Sequence, residues 1–216
     1  YKRQIFSTAI RDQVRPDAII HLNGTKVTVG ETIIYEHTFD KVLLKEVLKY
    51  AETTPYSVGT TVGDFDYYTH PENVKARDIE LWGECGRRFA EPYKLLDLEV
   101  RTMAYMGDEK GAKAMEEQFP EIHVHMFADK KGADVVERKA SKAVGLVRLC
   151  EYFKIPLSET IAFGDSMNDY DIIKAAGKGI AMGNAMEELK RAADYVTDPI
   201  DKDGIKNACL HLGLIR

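Results

Sequence analysis

The stretch Thr160-Ile-Ala-Phe-Gly-Asp-Ser-Met-Asn-Asp169 joins a short apolar run to four polar residues that fall within five positions. Such a run, ended by Gly-Asp, favours a buried strand closed by a turn. In an open parallel sheet, ligands bind beyond the carboxyl ends of the strands. The stretch therefore predicts a site at a sheet edge that contains Asp165, Asn168 and Asp169.

Asp165 and Asp169 are four positions apart where a helix is predicted to start, so their carboxylates can approach one another. Two carboxylates in this arrangement either share a cation or divide into a metal ligand and the partner of a lysine. An isolated Gly-Asp turn is usually only a helix cap. The next apolar run, however, is followed by Gly183 and Asn184, and polar groups after two strands favour a functional crevice over separate caps.

Lys142 opens a helix predicted over residues 142–153. Most surface lysines are simply solvated, but a cation at a helix N-terminus gains nothing from the helix dipole, which favours anions there. Its position is better explained by an anionic partner, either Asp169 or a phosphate group.

From residue 134 to residue 216, short apolar runs alternate with helical patterns, which predicts a parallel α/β sheet with right-handed crossovers. The strands are predicted at residues 160–163, 179–182 and 195–196, and the helices at residues 142–153, 169–176, 186–193 and 205–212.

Residues 26–133 follow a different pattern, in which hairpins mix with helices as in an α+β domain with an antiparallel sheet. Strands are predicted at residues 26–37 as a hairpin, at 56–62 and 65–69, at 98–105 and at 122–127. An apolar strand at residues 18–22 and an amphipathic helix at residues 2–13 precede them. We therefore expect a core formed by residues 1–25 and 134–216, with residues 26–133 as an inserted domain.

Composition excludes several classes of protein. The 216 residues are 44% hydrophobic and 30% charged, which argues against disorder, and the three cysteines form no C-x-x-C pair for a zinc ribbon or a redox motif. A net charge of −5 argues against nucleic acid as the main partner. No apolar run reaches the ~20 residues of a membrane span, and the cysteine pattern suits a reducing cytoplasm.

Taken together, the motifs resemble the haloacid dehalogenase superfamily, and most closely its Cof-type branch of sugar-phosphate and nucleotide phosphatases. The segments that carry the resemblance are residues 164–169, residues 182–185, Lys142, residues 203–205 and Leu22-Asn23-Gly24. The resemblance implies a Rossmann-like α/β core, here incomplete at its N-terminus, with an inserted α+β cap of the C2 type. It also implies Mg²⁺-dependent hydrolysis of a small phosphorylated metabolite, a sugar phosphate or a nucleotide-like compound, through an aspartyl-phosphate.

The resemblance also implies roles for individual residues. Lys142 matches the lysine that neutralises the nucleophile and the transferring phosphoryl group, and Asp169 matches the catalytic carboxylate that positions this lysine. Asp165 matches the Mg²⁺ ligand. Asn168 matches a phosphate-binding residue, and Asn23 and Asn184 are further substrate-binding candidates.

The family's nucleophile motif, a strand followed by Asp-x-Asp-Gly-Thr, does not occur in these residues. We expect the chain to begin part-way through the fold and to be inactive alone. Asp64-Phe65-Asp66 has the required spacing, but Tyr67 replaces the glycine, which favours an ordinary hairpin turn.

Two other functions remain open on the sequence: a phosphosugar mutase of the same superfamily, and a non-catalytic relative that binds a metabolite. His123 and His125 share one face of a predicted strand, which is compatible with a metal pair. An ordinary sheet surface explains them better, because no third ligand is near in sequence.

Overall fold

The computed structural model describes residues 13–127 and 129–216. The helix predicted at residues 2–13 lies outside this part, except for Gln13. In chain order the elements are β1 Ala18–His21, β2 Lys26–Val29, β3 Thr32–Glu36, α1 Lys41–Glu52, β4 Ser57–Val62, β5 Phe65–Tyr68, α2 Pro71–Trp82, β6 Phe89–Ala90, β7 Met103–Met106, α3 Glu109–Gln118, β8 Ile122–Met126, β9 Gly132–Glu137, α4 Lys142–Phe153, β10 Ile161–Gly164, α5 Tyr170–Ala175, β11 Lys178–Ala181, α6 Glu187–Ala192, β12 Tyr195–Val196 and α7 Gly204–His211.

The chain divides into two compact units. The first, here called the antiparallel unit, contains His37–Arg138, Thr28–Thr32 and the described part of Tyr1–Ile19. The second, the parallel unit, contains Ile20–Val27, Ile33–Glu36 and Lys139–Arg216. A small sheet with the order β1-β2-β3 has its residues divided between the two.

The antiparallel unit is built on a six-stranded sheet with the order β6-β5-β4-β7-β9-β8. All neighbours pair antiparallel except β5 and β6. Helix α1 begins where the Asp40 side chain accepts the backbone N–H groups of Val42 and Leu43, which satisfies two otherwise unpaired donors. The buried face of α1 and residues of α3 join one apolar core on the sheet.

The parallel unit has the sheet order β10-β11-β12, with both pairs parallel. The alternation of strands and helices predicted for this region is confirmed, and helix α4 has the predicted limits, Lys142–Phe153. The core of this unit is small and is contributed by α5, α6, two strands and the residues after β11, namely Ala162, Ile173, Ala181, Met182, Ala185 and Leu189.

Two sequence-based boundaries differ from the structure. The sequence places residues 134–137 in the parallel core, but they belong to β9, which pairs with β7 and β8 in the antiparallel sheet. The last segment of the parallel unit therefore begins at Lys139. The sequence places the hairpin β2–β3 in the inserted domain, but the hairpin forms a sheet with β1. All three strands have ordinary strand patterns, and only their long-range partners determine the sheet to which each belongs.

The strand predicted at residues 98–105 is also shorter than expected, because β7 covers only Met103–Met106. The Val100 carbonyl accepts the Phe39 N–H at 2.7 Å, and Phe39 belongs to no strand of the sheet. Helix α2, in a stretch of poor periodicity, starts at Pro71 and ends at Trp82, and the next residue, Gly83, has a φ of +80°. Among the described helices, none combines the length and apolar character needed to cross a membrane.

Candidate active site

The loop after β10 is organised around the buried carboxylate of Asp169. Its Oδ2 accepts the backbone N–H groups of Asp165 at 3.0 Å and Ser166 at 3.3 Å, and the Ser166 side chain in turn accepts the Asp169 N–H in a capping box. Gly164 allows this packing, because a Cβ atom there would lie 2.5 Å from the Asp169 Cβ. Asp169 therefore holds the loop in one conformation.

Lys142 reaches this carboxylate from the first position of α4. Its Nζ lies 2.5 Å from Asp169 Oδ1, and the two side chains are 28% and 11% exposed. Ser141 starts the helix by accepting the Val144 N–H at 3.3 Å, which places Lys142 one residue inside the cap. The Asp169 partner that the sequence predicted for Lys142 is present, and of the two arrangements open for the carboxylates, the structure has Asp169 paired with a lysine.

Asp165 is left with an exposed carboxylate beside the strand ends. Gly164 of β10 is in register with Ala181 of β11, so the residues that follow both strands come close. The amide nitrogen of Asn184 lies 3.5 Å from Asp165 Oδ2, which is a weak contact. Asn184 is held from its other side by the Ile200 N–H, 3.1 Å from its Oδ1.

Asn168 lies between two polar side chains. Its Nδ2 donates to Asn23 Oδ1 at 3.0 Å, and its Oδ1 accepts the Ser166 hydroxyl at 2.5 Å. Asn23 belongs to the Leu22–Gly24 turn, far away in sequence. One partner is an acceptor and the other a donor, so together they fix which way the amide faces.

The structure thus brings the six predicted site residues together within the parallel unit: Asn23, Lys142, Asp165, Asn168, Asp169 and Asn184. Sequence reasoning missed Ser166, although it lies inside the decisive stretch, and it also missed the backbone of Ile200. The Ser166-x-x-Asp169 spacing of a capping box was the available signal for the first. Nothing local in the sequence indicates the second.

Known proteins match this chain over nearly its whole length. The family profile described as haloacid dehalogenase-like hydrolase matches residues 4–209. The chain belongs to this family. Phosphatase YwpJ of Bacillus subtilis (strain 168) is 49% identical over a 230-residue alignment that covers 90% of this chain and 79% of YwpJ.

Solved structures of such hydrolases share the fold. The subclass IIB sugar phosphatase BT4131 superposes with a TM-score of 0.83 and 29% identity, over 96% of this chain and 80% of its own. The phosphatase BT1666 from Bacteroides thetaiotaomicron gives a TM-score of 0.87 and 25% identity, over 94% of this chain and 76% of its own. The expected fold class, a Rossmann-like α/β core with an α+β cap, and the expected Cof-type phosphatase branch are confirmed.

In this hydrolase, Asp64-Phe65-Asp66 lies in the β4–β5 hairpin of the antiparallel unit. Asp66 is buried, receives the Thr61 hydroxyl at 2.6 Å and pairs with Arg87 at 2.8 Å. Arg87 also binds Asp78 of α2, and these carboxylates hold the pKa of Arg87 above its usual value. Asp66 is thus part of an ion-pair cluster of the inserted domain, which agrees with the hairpin interpretation.

Residues 201–204 also have the Asp-x-Asp-Gly spacing of the nucleophile motif. It does not follow directly on a strand, because β12 ends at Val196. Asp203 has a φ of +57° and is the N-cap residue of α7. Gly204 is buried, and its carbonyl oxygen accepts the Thr197 hydroxyl at 2.7 Å. This segment is a turn and helix start, not a strand end of the kind the motif requires.

His123 and His125 stack on strand β8 with ring centroids 5.1 Å apart. His123 lies 3.3 Å from Glu116, which also accepts the Val124 N–H, and it contacts the Arg138 guanidinium. Within residues 13–127 and 129–216, no group of three or more His, Cys, Asp or Glu is placed to hold a metal ion. The contacts agree with the interpretation as a sheet surface.

Proposed function

We propose that these residues form the lysine and metal side of a phosphatase active site, which acts on a small phosphorylated metabolite such as a sugar phosphate or a nucleotide-like compound. The observation that carries the proposal is the joint placement of Lys142, Asp169 and Asp165 beyond the carboxyl end of β10. The similarity to the sugar phosphatase BT4131 supports the substrate class. Nucleic acid is not a proposed partner, because the net charge is −5.

Charge neutralisation explains the division of labour in this site. Phosphoryl transfer depends mainly on positioning and on cations that offset developing negative charge. Asp169 holds the Lys142 ammonium beside the loop that follows β10, where the ammonium would bind a phosphoryl oxygen. Asn168, which bonds to Asn23, and Asn184, which contacts Asp165, are the proposed substrate-binding residues.

Asp165 fits a Mg²⁺ ligand. Mg²⁺ in phosphoryl-transfer sites keeps several waters and uses one or two carboxylates together with substrate phosphate oxygens, so a full protein cage is not needed. Asp165 offers an exposed carboxylate, whereas both oxygens of Asp169 are already used. When bound, the cation would neutralise charge on the phosphoryl oxygens.

Metal binding tests this assignment without any need for turnover. We expect Asp165→Asn to weaken binding of Mn²⁺, used as a paramagnetic probe for Mg²⁺, by about tenfold or more. Asp171→Asn is the matched control, because Asp171 is an exposed carboxylate on α5. Equal Mn²⁺ affinity of the two variants, measured by electron paramagnetic resonance, would remove Asp165 from the site.

We further propose that the 216 residues do not turn over substrate by themselves, because they contain no Asp-x-Asp-Gly-Thr segment to form the aspartyl-phosphate. An aryl phosphate assay with Mg²⁺ should show no release of phosphate above background. Turnover that disappears in Asp165→Ala would contradict this proposal. YwpJ, assayed alongside, is the positive control.

A cytoplasmic location is part of the same proposal. Cys85, Cys150 and Cys209 are all free thiols in the structure. Free thiols persist in reducing compartments. Fractionation of cells that produce the tagged protein would test the location.

A further inference from the structure

Three consecutive residues of the parallel unit have a left-handed backbone. Leu22, Asn23 and Gly24 have φ values of +49°, +55° and +96°. This conformation costs an ordinary residue roughly 1–2 kcal/mol, and only Gly, Asn and Asp adopt it with ease. Strain of this kind persists where the surroundings impose it, and it concentrates at functional sites.

The Leu22–Gly24 turn lies between the start of α4, which carries Lys142, and the loop after β10, which carries Asn168. On one side, a Cβ atom on Gly24 would lie 1.9 Å from the carbonyl oxygen of Ser141, the residue before Lys142. On the other side, Asn23 Oδ1 accepts the Asn168 amide at 3.0 Å. The turn is closed by Thr25, whose hydroxyl donates to the Leu22 carbonyl at 3.0 Å.

We propose that Asn23 is a positioning residue, which holds the Asn168 side chain in place and does not itself bind the phosphate. Asn168 has its oxygen occupied by Ser166 at 2.5 Å, so the hydrogen bond to Asn23 fixes the remaining end of the amide. Asparagine suits position 23 because it tolerates the left-handed conformation and also supplies an acceptor. The inference rests on the proposed function in one respect, that Asn168 contacts the phosphate.

The test uses variants that separate the backbone from the side chain. Asn23→Gly keeps the left-handed backbone and removes the acceptor, whereas Asn23→Asp keeps both. In NMR spectra of the full chain, the Asn168 side-chain amide should lose its hydrogen-exchange protection in the Gly variant and retain it in the Asp variant. Unchanged protection in Asn23→Gly would overturn the proposal.

A double-mutant cycle on inorganic phosphate binding, measured with Mg²⁺ present, asks whether Asn23 acts through Asn168. Asn23→Gly and Asn168→Ala should each weaken binding about fivefold, the effect of one lost hydrogen bond, and the double variant no further. Additive losses would mean that Asn23 binds the phosphate directly, which overturns the proposal.

Failure of the proposed function gives a different result. If the unaltered chain binds no phosphate, or if Lys142→Met does not weaken binding, the phosphatase site is contradicted. The exchange protection of the Asn168 amide still decides the contact with Asn23 in that case.

Discussion

At the scale of the residue, the buried Asp169 carboxylate makes Lys142 a stabilising side chain as well as a proposed catalytic one. Lys142→Met removes the cation 2.5 Å from Asp169 Oδ1 and leaves a carboxylate whose side chain is 11% exposed. We expect the free energy of unfolding to fall by about 1–3 kcal/mol, the cost of an unsatisfied buried group. Urea denaturation at pH 7 measures the loss.

The control for this change is Lys206→Met, because Lys206 is an exposed lysine of α7. Adding Asp169→Asn to Lys142→Met should cost less than the sum of the two single changes, since no unpaired charge then remains. A Lys142→Met loss no larger than that of Lys206→Met would show that the pair adds nothing to stability.

Of the three cysteine side chains, that of Cys150 is buried, whereas those of Cys85 and Cys209 are partly exposed. Desolvation raises the pKa of Cys150, which is 8% exposed, and the thiolate is the reactive form. At pH 8, iodoacetamide should therefore modify Cys150 about tenfold more slowly than the partly exposed Cys85, as followed by peptide mass spectrometry. Equal rates would mean that the end of α4 opens readily.

The sign of the linked pH effect follows from the raised pKa of Cys150. The unfolded chain loses this proton first, so the stability that depends on the protonated thiol is complete below the ordinary thiol pKa and is lost as the pH rises above it. Cys150→Ala should flatten the alkaline fall in stability in that range.

Some contacts of single residues could be predicted from the sequence and others could not. The pairing of Lys142 with Asp169 was accessible, because a cation at a helix start lacks an explanation without an anion. The contact between Asn23 and Asn168 depends on a strained turn that brings distant segments together, and no local pattern reports it.

At the scale of the element, local sequence patterns predict whether a segment is a helix or a strand better than they predict which sheet a strand joins. Helix α4 and the three strands of the parallel sheet follow from periodicity and alternation, which are local properties. The predicted domain boundary at residue 134 falls inside strand β9 and is wrong, because the partners of this strand, β7 and β8, are set by long-range pairing.

The turn before β2 gives a prediction at this scale. Gly24→Ala places a Cβ atom 1.9 Å from the Ser141 carbonyl oxygen at a φ of +96°, so both a clash and backbone strain oppose it. Gly30→Ala is the matched control, because its φ is +55° but nothing lies within 4 Å. We expect Gly30→Ala to cost about 1 kcal/mol and Gly24→Ala at least 2 kcal/mol more.

Thermal and urea unfolding of the two variants separate these terms. Equal losses would mean that the backbone conformation alone determines the cost and that the Leu22–Gly24 turn does not pack tightly on Ser141. A larger loss for Gly24→Ala would also predict a shift of Lys142, visible in the NMR resonances of α4.

At the scale of the whole molecule, the antiparallel unit has the features of a domain that folds alone. Its apolar core is contributed by residues between Phe39 and Val135, all within His37–Arg138. The ends of that segment are joined, because His37 Nε2 lies 2.5 Å from Glu137 Oε2, which also accepts the Asp40 N–H at 3.3 Å. Domains of about 100 residues with their own core commonly fold independently.

We therefore expect a polypeptide of residues 37–138 to unfold cooperatively, with dispersed amide resonances and a single transition in urea. Within it, Glu137→Ala should lower the free energy of unfolding by about 1–3 kcal/mol, since Glu137 is 2% exposed and two donors lose their acceptor. Glu84→Ala, at an exposed position after α2, should change it by less than about 0.5 kcal/mol. A collapsed, non-cooperative polypeptide would show that the core of this unit needs the rest of the chain, and equal effects of the two substitutions would show that the Glu137 bonds do not join its ends.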